Sequence, residues 1–233
     1  MTNKHVNAVV IGAGAGGDRV RAGRPDRLPR PHGTAETTFH GSALERRNMN
    51  PNRVVLCMKW GTLYPAEYVN VLYRACRAHI SGDFRFVCLT NETEGLLPEV
   101  EVHPIPLFGL DDWHYYNGAW PKIGVFSQDL YGLQGRALFI DLDSVICGSL
   151  NEMFEVPGTL VAMDSQPWKG KPGAPRTMSS VFSFELGSLG WVVDRLQADR
   201  DALVKKYFIE QDYLHGEVPD IRYWPQEWIV SFK

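Results

Sequence analysis

Two aspartates, Asp141 and Asp143, directly follow the four apolar residues 137–140. The apolar run predicts a buried strand, and because alternate side chains of an extended chain share a face, both carboxylates should point the same way. We expect them at the carboxyl edge of a sheet, where open α/β sheets bind ligands. Two converging carboxylates repel each other, so the pair favours a divalent cation, Mn²⁺ or Mg²⁺. The alternative is a solvated turn of acidic residues.

The elements that would position this pair are short apolar runs alternating with amphipathic stretches, from Met49 onward. The apolar runs have the length of buried strands, and the amphipathic stretches have the period of helices that pack on one face. We predict strands at 53–58, 84–89, 100–105, 137–140, 159–163 and 181–184, and helices at 65–78, 122–130 and 189–207. This alternation predicts an α/β sandwich with a mostly parallel sheet.

The composition is that of an ordinary globular protein: 233 residues, 44% of them hydrophobic and 22% charged. That length suits one well-buried domain. The net charge of −3 argues against a nucleic-acid partner, and no apolar run reaches the roughly 20 residues of an integral membrane segment. The four cysteines form no CxxC pair, which predicts buried free thiols, a reducing compartment and a cytoplasmic location.

Residues 1–48 differ from the rest of the chain. They hold eight basic and four acidic side chains, many glycines and prolines, and few aromatic residues. We predict a disordered basic leader at 1–48 and a globular domain at 49–233. Within the leader, Gly12, Gly14 and Gly17 form a GxGxxG pattern after an apolar run. A dinucleotide site also needs a helix at these glycines, which Pro25 and its neighbours oppose. A signal peptide is a second alternative, which the short, glycine-broken apolar run opposes.

Five short segments stand in a characteristic order along residues 53–233: 58–64, 120–122, 141–143, 178–182 and 210–213. With these segments the chain resembles glycosyltransferases of the GT-A fold, in particular the retaining group that includes glycogenin and bacterial galactosyltransferases. The resemblance implies the Rossmann-like three-layer α/β/α sandwich of nucleotide-diphospho-sugar transferases. It also implies transfer of a hexose from a nucleotide-diphosphate sugar, UDP-linked, to an acceptor hydroxyl on a carbohydrate or another molecule.

The resemblance assigns roles to individual residues. It implies that Asp141 and Asp143, as the DXD motif, bind manganese or magnesium, and that Gln211 and Asp212 lie beside the reacting anomeric carbon as catalytic residues. The residues it implies for binding the donor are Trp60, Tyr64, Asn91, Lys122, Ser179 and Ser180. Among them Tyr64 is similar to the aromatic residue that stacks on the nucleotide base, and Lys122 to the cation that meets a sugar phosphate.

The sequence departs from the family pattern at two places. Met178 stands where relatives have an asparagine that hydrogen-bonds the donor sugar. Relatives also continue beyond a segment like 228–233 and supply a histidine there as a third metal ligand. We therefore expect the chain to be truncated at its C-terminus or weakly active, with water or phosphate completing the metal shell.

Other interpretations of the same residues stay open. The segment 139–146 also resembles the first motif of haloacid-dehalogenase-type phosphatases, in which Asp141 would be the nucleophile. A catalytically weak domain that binds nucleotide-sugar is a further alternative. Individually, Trp60 and Tyr64 could be packing aromatics, Lys122 a solvated residue at a helix start, and Gln211 with Asp212 a helix cap.

Overall fold

The computed structural model describes residues 9–11, 52–169 and 175–231, with ten strands, seven α-helices and two 3₁₀ helices among them. The strands are β1 Val9–Ile11, β2 Arg53–Lys59, β3 Arg85–Thr90, β4 Glu101–His103, β5 Arg136–Ile140, β6 Ser144–Ile146, β7 Leu160–Asp164, β8 Thr177–Glu185, β9 Arg222–Tyr223 and β10 Ile229–Ser231. The α-helices are α1 Ala66–His79, α2 Asp112–Tyr116, α3 Asn151–Glu155, α4 Gln166–Lys169, α5 Gly190–Ala198, α6 Arg200–Tyr207 and α7 Glu210–Glu217. The 3₁₀ helices are Trp120–Phe126 and Gln226–Trp228.

Seven strands form the central sheet in the order β4-β3-β2-β5-β8-β7-β9. β2 pairs in parallel with both β3 and β5, so that Val55 lies between Phe86 and Leu138. β8 is antiparallel to β5 and to β7, and the other pairings in this sheet are parallel. The prediction of a mostly parallel α/β sheet is therefore confirmed. The carboxyl ends of β2 and β5 lie at the same edge because the two strands run in the same direction.

The sheet separates two hydrophobic cores because alternate residues of a strand face opposite sides. Leu56 faces the side covered by the 3₁₀ helix Trp120–Phe126, α5 and α7. Cys57 faces the side covered by α1 and α3. Both faces of β2 are buried, which is why its sequence is a continuous apolar run rather than an alternating one. Two covered faces make the three-layer sandwich that the family resemblance implies.

A second, three-stranded sheet has the order β10-β1-β6. In it Val9–Ile11 runs parallel to Ile229–Ser231 and antiparallel to Ser144–Ile146. These three residues belong to the predicted leader and form a strand rather than a disordered segment. The rest of the leader, with the GxGxxG pattern, lies outside the described residues, and its disorder stays a prediction.

Three predicted elements differ in the structure. The segment around Lys122 is a 3₁₀ helix that ends at Phe126, and every one of its residues is buried. The predicted helix at 189–207 is two helices that meet at Asp199, whose backbone, with φ −144° and ψ 43°, is not helical. β8 begins at Thr177, four residues before the predicted strand, because the buried polar residues Thr177, Ser179 and Ser180 extend it beyond its apolar part.

The cysteines are free thiols, as predicted, but Cys147 is exposed whereas the other three are buried. Among the described helices none is long and apolar enough to cross a membrane.

Candidate active site

Asp141 follows β5 at the carboxyl edge of the sheet. The strand ends at Ile140, and the next residues turn, with the Ser144 amide donating to the Asp141 carbonyl at 3.1 Å. The Asp141 amide donates to the Ser180 carbonyl at 2.8 Å, which ties this turn to β8. The prediction that both aspartates lie in an extended chain is therefore wrong. Leu142 between them is buried, and the two half-buried aspartates remain close enough for the charge of Asp143 to contribute to raising the pKa of Asp141.

Lys122 reaches Asp141 from the 3₁₀ helix Trp120–Phe126. Its ammonium lies 2.9 Å from the Asp141 carboxylate and donates to the Ser179 carbonyl at 3.1 Å. It also lies 5.4 Å from the centre of the Phe139 ring. The side chain is buried, so the ammonium has exchanged water for these partners. The interpretation of Lys122 as a solvated helix-start residue is therefore wrong.

Glu210, the first residue of α7, completes this cluster. One of its carboxylate oxygens lies 3.5 Å from the Lys122 ammonium and accepts a short hydrogen bond from the Ser179 hydroxyl. Its amide donates to the Gly118 carbonyl at 2.9 Å, which fixes the start of α7 beside the loop that precedes Lys122. The family resemblance implies roles for Gln211 and Asp212 but none for Glu210. Its position at the head of the same segment was the available signal.

Asp143 faces the loop that follows β2. The Tyr64 hydroxyl donates to an Asp143 carboxylate oxygen at 3.4 Å. Burial, and then the charge of Asp143, raise the pKa of Tyr64 to about 12, so the phenol stays protonated and can keep donating. The structure thus brings Tyr64, predicted to contact the nucleotide, to the same edge as the aspartate pair.

The electrostatics of the site favour an additional cation. Burial raises the pKa of Asp141 to about 6, although the Lys122 ammonium opposes the shift, and burial also raises the pKa of Asp143. Burial lowers the pKa of Lys122, but the charges of Asp141 and Glu210 outweigh it, so the net shift is upward and the lysine is protonated. Among the described residues, three carboxylates thus share one ammonium, an excess of negative charge that a metal ion would offset.

The site offers a metal ion two carboxylate ligands. The described residues contain no group of three His, Cys, Asp or Glu side chains arranged to hold a metal. Asp141 and Asp143 are hard oxygen ligands of the kind that Mn²⁺ and Mg²⁺ prefer, and Mg²⁺ sites commonly use one or two carboxylates together with substrate phosphates. The residues present therefore fit a metal whose shell a ligand completes.

Four other predicted site residues lie at or beside this cluster. Ser179 and Ser180 are buried on β8, where Ser179 contacts Lys122 and Glu210, and the Ser180 carbonyl holds Asp141. Gln211 and Asp212 are half-buried in the first turn of α7, directly after Glu210. The N-cap of α7 is Ile209, so neither Gln211 nor Asp212 caps the helix.

Trp60 and Asn91 make their contacts elsewhere. The Trp60 indole donates to the Tyr115 carbonyl at 2.7 Å. Trp60 packs against the core that contains Leu56, whereas Tyr64 packs against the core on the opposite face of the sheet. The Asn91 side chain is exposed, and its oxygen accepts a hydrogen bond from the Ile105 amide at 3.3 Å. Both follow strands of the sheet at its carboxyl edge, but the structure does not join them to the carboxylate cluster, and their roles stay predictions.

Similarity to known proteins is found at the level of structure. No protein-family model and no curated protein matches the sequence. One similar solved structure is the apo-form glycosyltransferase GlyE of Streptococcus pneumoniae TIGR4, with a TM-score of 0.52 and 16% identity over 77% of this chain and 46% of that chain. Another is an active-site mutant of LgtC, with a TM-score of 0.51 and 14% identity over 73% of this chain and 72% of that chain.

The identity to both structures is low, and this chain spans less than half the length of GlyE. The likeness therefore concerns the path of the chain rather than its chemistry. It covers about three quarters of this chain. The chain has the GT-A fold of these glycosyltransferase structures.

Proposed function

We propose that this chain is a metal-dependent glycosyltransferase that moves a hexose from a nucleotide-diphosphate sugar, UDP-linked, to an acceptor hydroxyl. The observation that supports this most is the charge cluster at the carboxyl edge of a GT-A sheet. There Asp141 and Asp143 follow β5, and the Lys122 ammonium contacts the carboxylates of both Asp141 and Glu210. In open α/β sheets this edge is where ligands bind.

Each residue of the cluster has a part in the proposed reaction. Asp141 and Asp143 would hold Mn²⁺ or Mg²⁺, which supplies positive charge to the departing diphosphate. The Lys122 ammonium would add its charge at the same place, held there by Asp141 and Glu210. Gln211 and Asp212, at the start of α7, would lie near the anomeric carbon and orient the acceptor. Tyr64 would stack on the base while its hydroxyl orients Asp143.

Calorimetric titration of UDP tests the donor half of this proposal. We expect binding with Mn²⁺, little binding with a chelator, and loss of the metal-dependent binding in Asp143→Asn. Hydrolysis of the UDP-sugar should show the same metal dependence and the same loss. The matched control is Asp83→Asn, an exposed aspartate before β3 at the opposite edge of the sheet.

The alternatives give different results. UDP binding that is equally strong with metal and with chelator would contradict the metal role of Asp141 and Asp143. Metal-dependent binding without hydrolysis or transfer of any donor sugar would make the chain a nucleotide-sugar-binding domain. Hydrolysis of a small phosphomonoester that requires Asp141, without UDP binding, would favour the phosphatase. In the structure Asp141 follows the fifth strand in chain order, whereas the phosphatase motif belongs to a first strand.

A further inference from the structure

We propose that a cleft beside the far end of α7 binds the terminal sugar of a carbohydrate acceptor; the proposal rests on the proposed function. The cleft has a volume of about 270 Å³ and is lined by His215, Val218, Asp220, Ile221 and Tyr223. This is just below the range of about 300–1,000 Å³ of sites that enclose drug-sized ligands, which suits one sugar ring rather than a whole nucleotide-sugar.

The helix α7 connects this cleft to the carboxylate cluster. Gln211 and His215 are four residues apart on α7 and therefore lie on the same face, about 6 Å apart along the axis. α7 is fixed to β8 at two points, through Ser179 and Glu210 at its start and through Thr177 and His215 one turn later. A sugar in the cleft would thus lie one helical turn from the residues proposed to orient the acceptor hydroxyl.

Two side chains of the cleft, His215 and Tyr223, are held in place by a buried hydroxyl. Thr177 Oγ1 lies 3.0 Å from His215 Nδ1 and 3.0 Å from the Tyr223 hydroxyl, and Thr177 itself is buried. One hydroxyl can donate to one of these partners and accept from the other, so it orients both rings. With Nδ1 engaged by Thr177, His215 Nε2 is the nitrogen that a ligand hydroxyl would meet.

The chemistry of the lining favours a neutral polyhydroxyl ligand over a phosphate. Asp220 contributes a carboxylate, which accepts hydrogen bonds from hydroxyls and repels phosphate. The neighbouring Arg176 guanidinium is paired with Asp164 at 2.7 Å and lies 4.4 Å from the centre of the Tyr223 ring. Val218 and Ile221 give the cleft an apolar surface for C–H groups, beside an imidazole and a carboxylate for hydroxyls.

Saturation-transfer NMR on the full chain tests the cleft directly. The probes are galactose, glucose and lactose, each in the presence of UDP and Mn²⁺. We expect signal from at least one sugar and at least about fivefold weaker binding in His215→Ala, because a lost hydrogen bond of about 1 kcal/mol corresponds to that factor. Asp220→Asn should also weaken binding. Asp201→Asn, an exposed aspartate on α6, is the matched control.

A second pair of variants tests whether the Thr177 hydroxyl, which orients the His215 and Tyr223 rings, is needed for sugar binding. Thr177→Val removes the hydroxyl with little change of shape, whereas Thr177→Ser keeps it. We expect Thr177→Val to weaken sugar binding and Thr177→Ser to retain it, with thermal unfolding of both variants measured to confirm folding. Equal sugar binding in these two folded variants would overturn the role of Thr177 in building the site.

The calorimetric titration of UDP distinguishes failure of the acceptor site from failure of the proposed function. If UDP binds with Mn²⁺ but no sugar binding depends on His215, the cleft is not the acceptor site and the proposed function stands. If UDP does not bind while His215-dependent sugar binding is present, the proposed function fails and the cleft is a sugar site of another kind. That second result also contradicts the acceptor role.

Discussion

Lys122 is the residue through which the parts of the candidate site are held together. Its buried ammonium contacts Asp141 on the β5 side and Glu210 on α7, and it donates to a carbonyl of β8. Removing one partner of a buried ion pair leaves an uncompensated charge, which costs about 3–5 kcal/mol. We therefore expect Lys122→Ala to lower the free energy of unfolding by about that amount in urea titrations, since the half-buried Asp141 and the buried Glu210 carboxylates would lose their cation.

Two controls test whether the loss of stability comes from the loss of positive charge. Lys122→Arg keeps the cation and should lose much less stability than Lys122→Ala. If Asp141 and Asp143 bind Mn²⁺, added Mn²⁺ should restore part of the stability that Lys122→Ala loses and none in a Lys122→Ala, Asp143→Asn double variant. A loss below about 1 kcal/mol in Lys122→Ala, the range of an exposed ion pair, would contradict the buried cluster.

At the scale of elements, Gly118 is where the loop before Lys122 meets the start of α7. Its backbone has φ 86°, and a Cβ atom there would lie 2.5 Å from the Phe208 carbonyl oxygen and 2.7 Å from the Trp120 indole nitrogen. Gly118→Ala must push α7 away from the 3₁₀ helix and so separate Glu210 from Lys122. We expect thermal unfolding and UDP-sugar hydrolysis to show lost stability and lost activity together.

Gly109 is the matched control, because its φ of 83° is nearly the same and a Cβ atom added there would have no neighbouring atom within 4 Å. Gly109→Ala should cost only the left-handed backbone strain, about 1–2 kcal/mol. Gly118→Ala should cost about 1–3 kcal/mol more, the usual penalty for overpacking. Equal losses in the two variants would mean that the contact between the two elements is not tight.

The sequence predicts strands that are buried by apolar packing better than strands whose buried side chains are polar and hydrogen-bonded. β2 and β5 were predicted because both are continuous apolar runs, and β5 placed Asp141 at its end. The first part of β8 was missed because Thr177 and Ser179 are polar, although both are buried by hydrogen bonds to α7. A hydrophobicity pattern does not register a polar side chain that is buried with a partner.

The candidate site shows a similar limit of prediction from sequence, because its contacts join residues that are far apart in the chain. The bonds from Tyr64 to Asp143 and from Ser179 to Glu210 join residues 79 and 31 positions apart. The strand pattern identified the aspartates and the family resemblance implied Tyr64 and Lys122, but neither states which of these residues touch. The cluster of Lys122 with Glu210 follows from the packing of α7 on the sheet, which only the three-dimensional structure supplies.

For the whole molecule, the stability of the sheet in acid depends on a paired carboxylate on an outermost strand, β4. Glu101, on the edge strand β4, accepts hydrogen bonds from Arg85 Nε at 3.0 Å and from the His103 ring at 2.8 Å. Burial alone would raise the pKa of Glu101, but these two partners outweigh it and lower the pKa from 4.5 to about 2. The ionised carboxylate therefore stabilises the fold above pH ~4.5, and this stabilisation is lost as the pH falls towards 2.

We expect Glu101→Gln to lower the free energy of unfolding at pH 7 by at most about 3 kcal/mol, the equivalent of the shift in pKa. The difference from the unsubstituted protein should shrink as the pH falls from about 5 to 3, because protonation removes the same charge that the substitution removes. Urea titrations across this range measure it, with Glu99→Gln, an exposed residue two positions earlier, as the control. A difference that stays constant with pH would show that Glu101 stabilises β4 by packing and not through its charge.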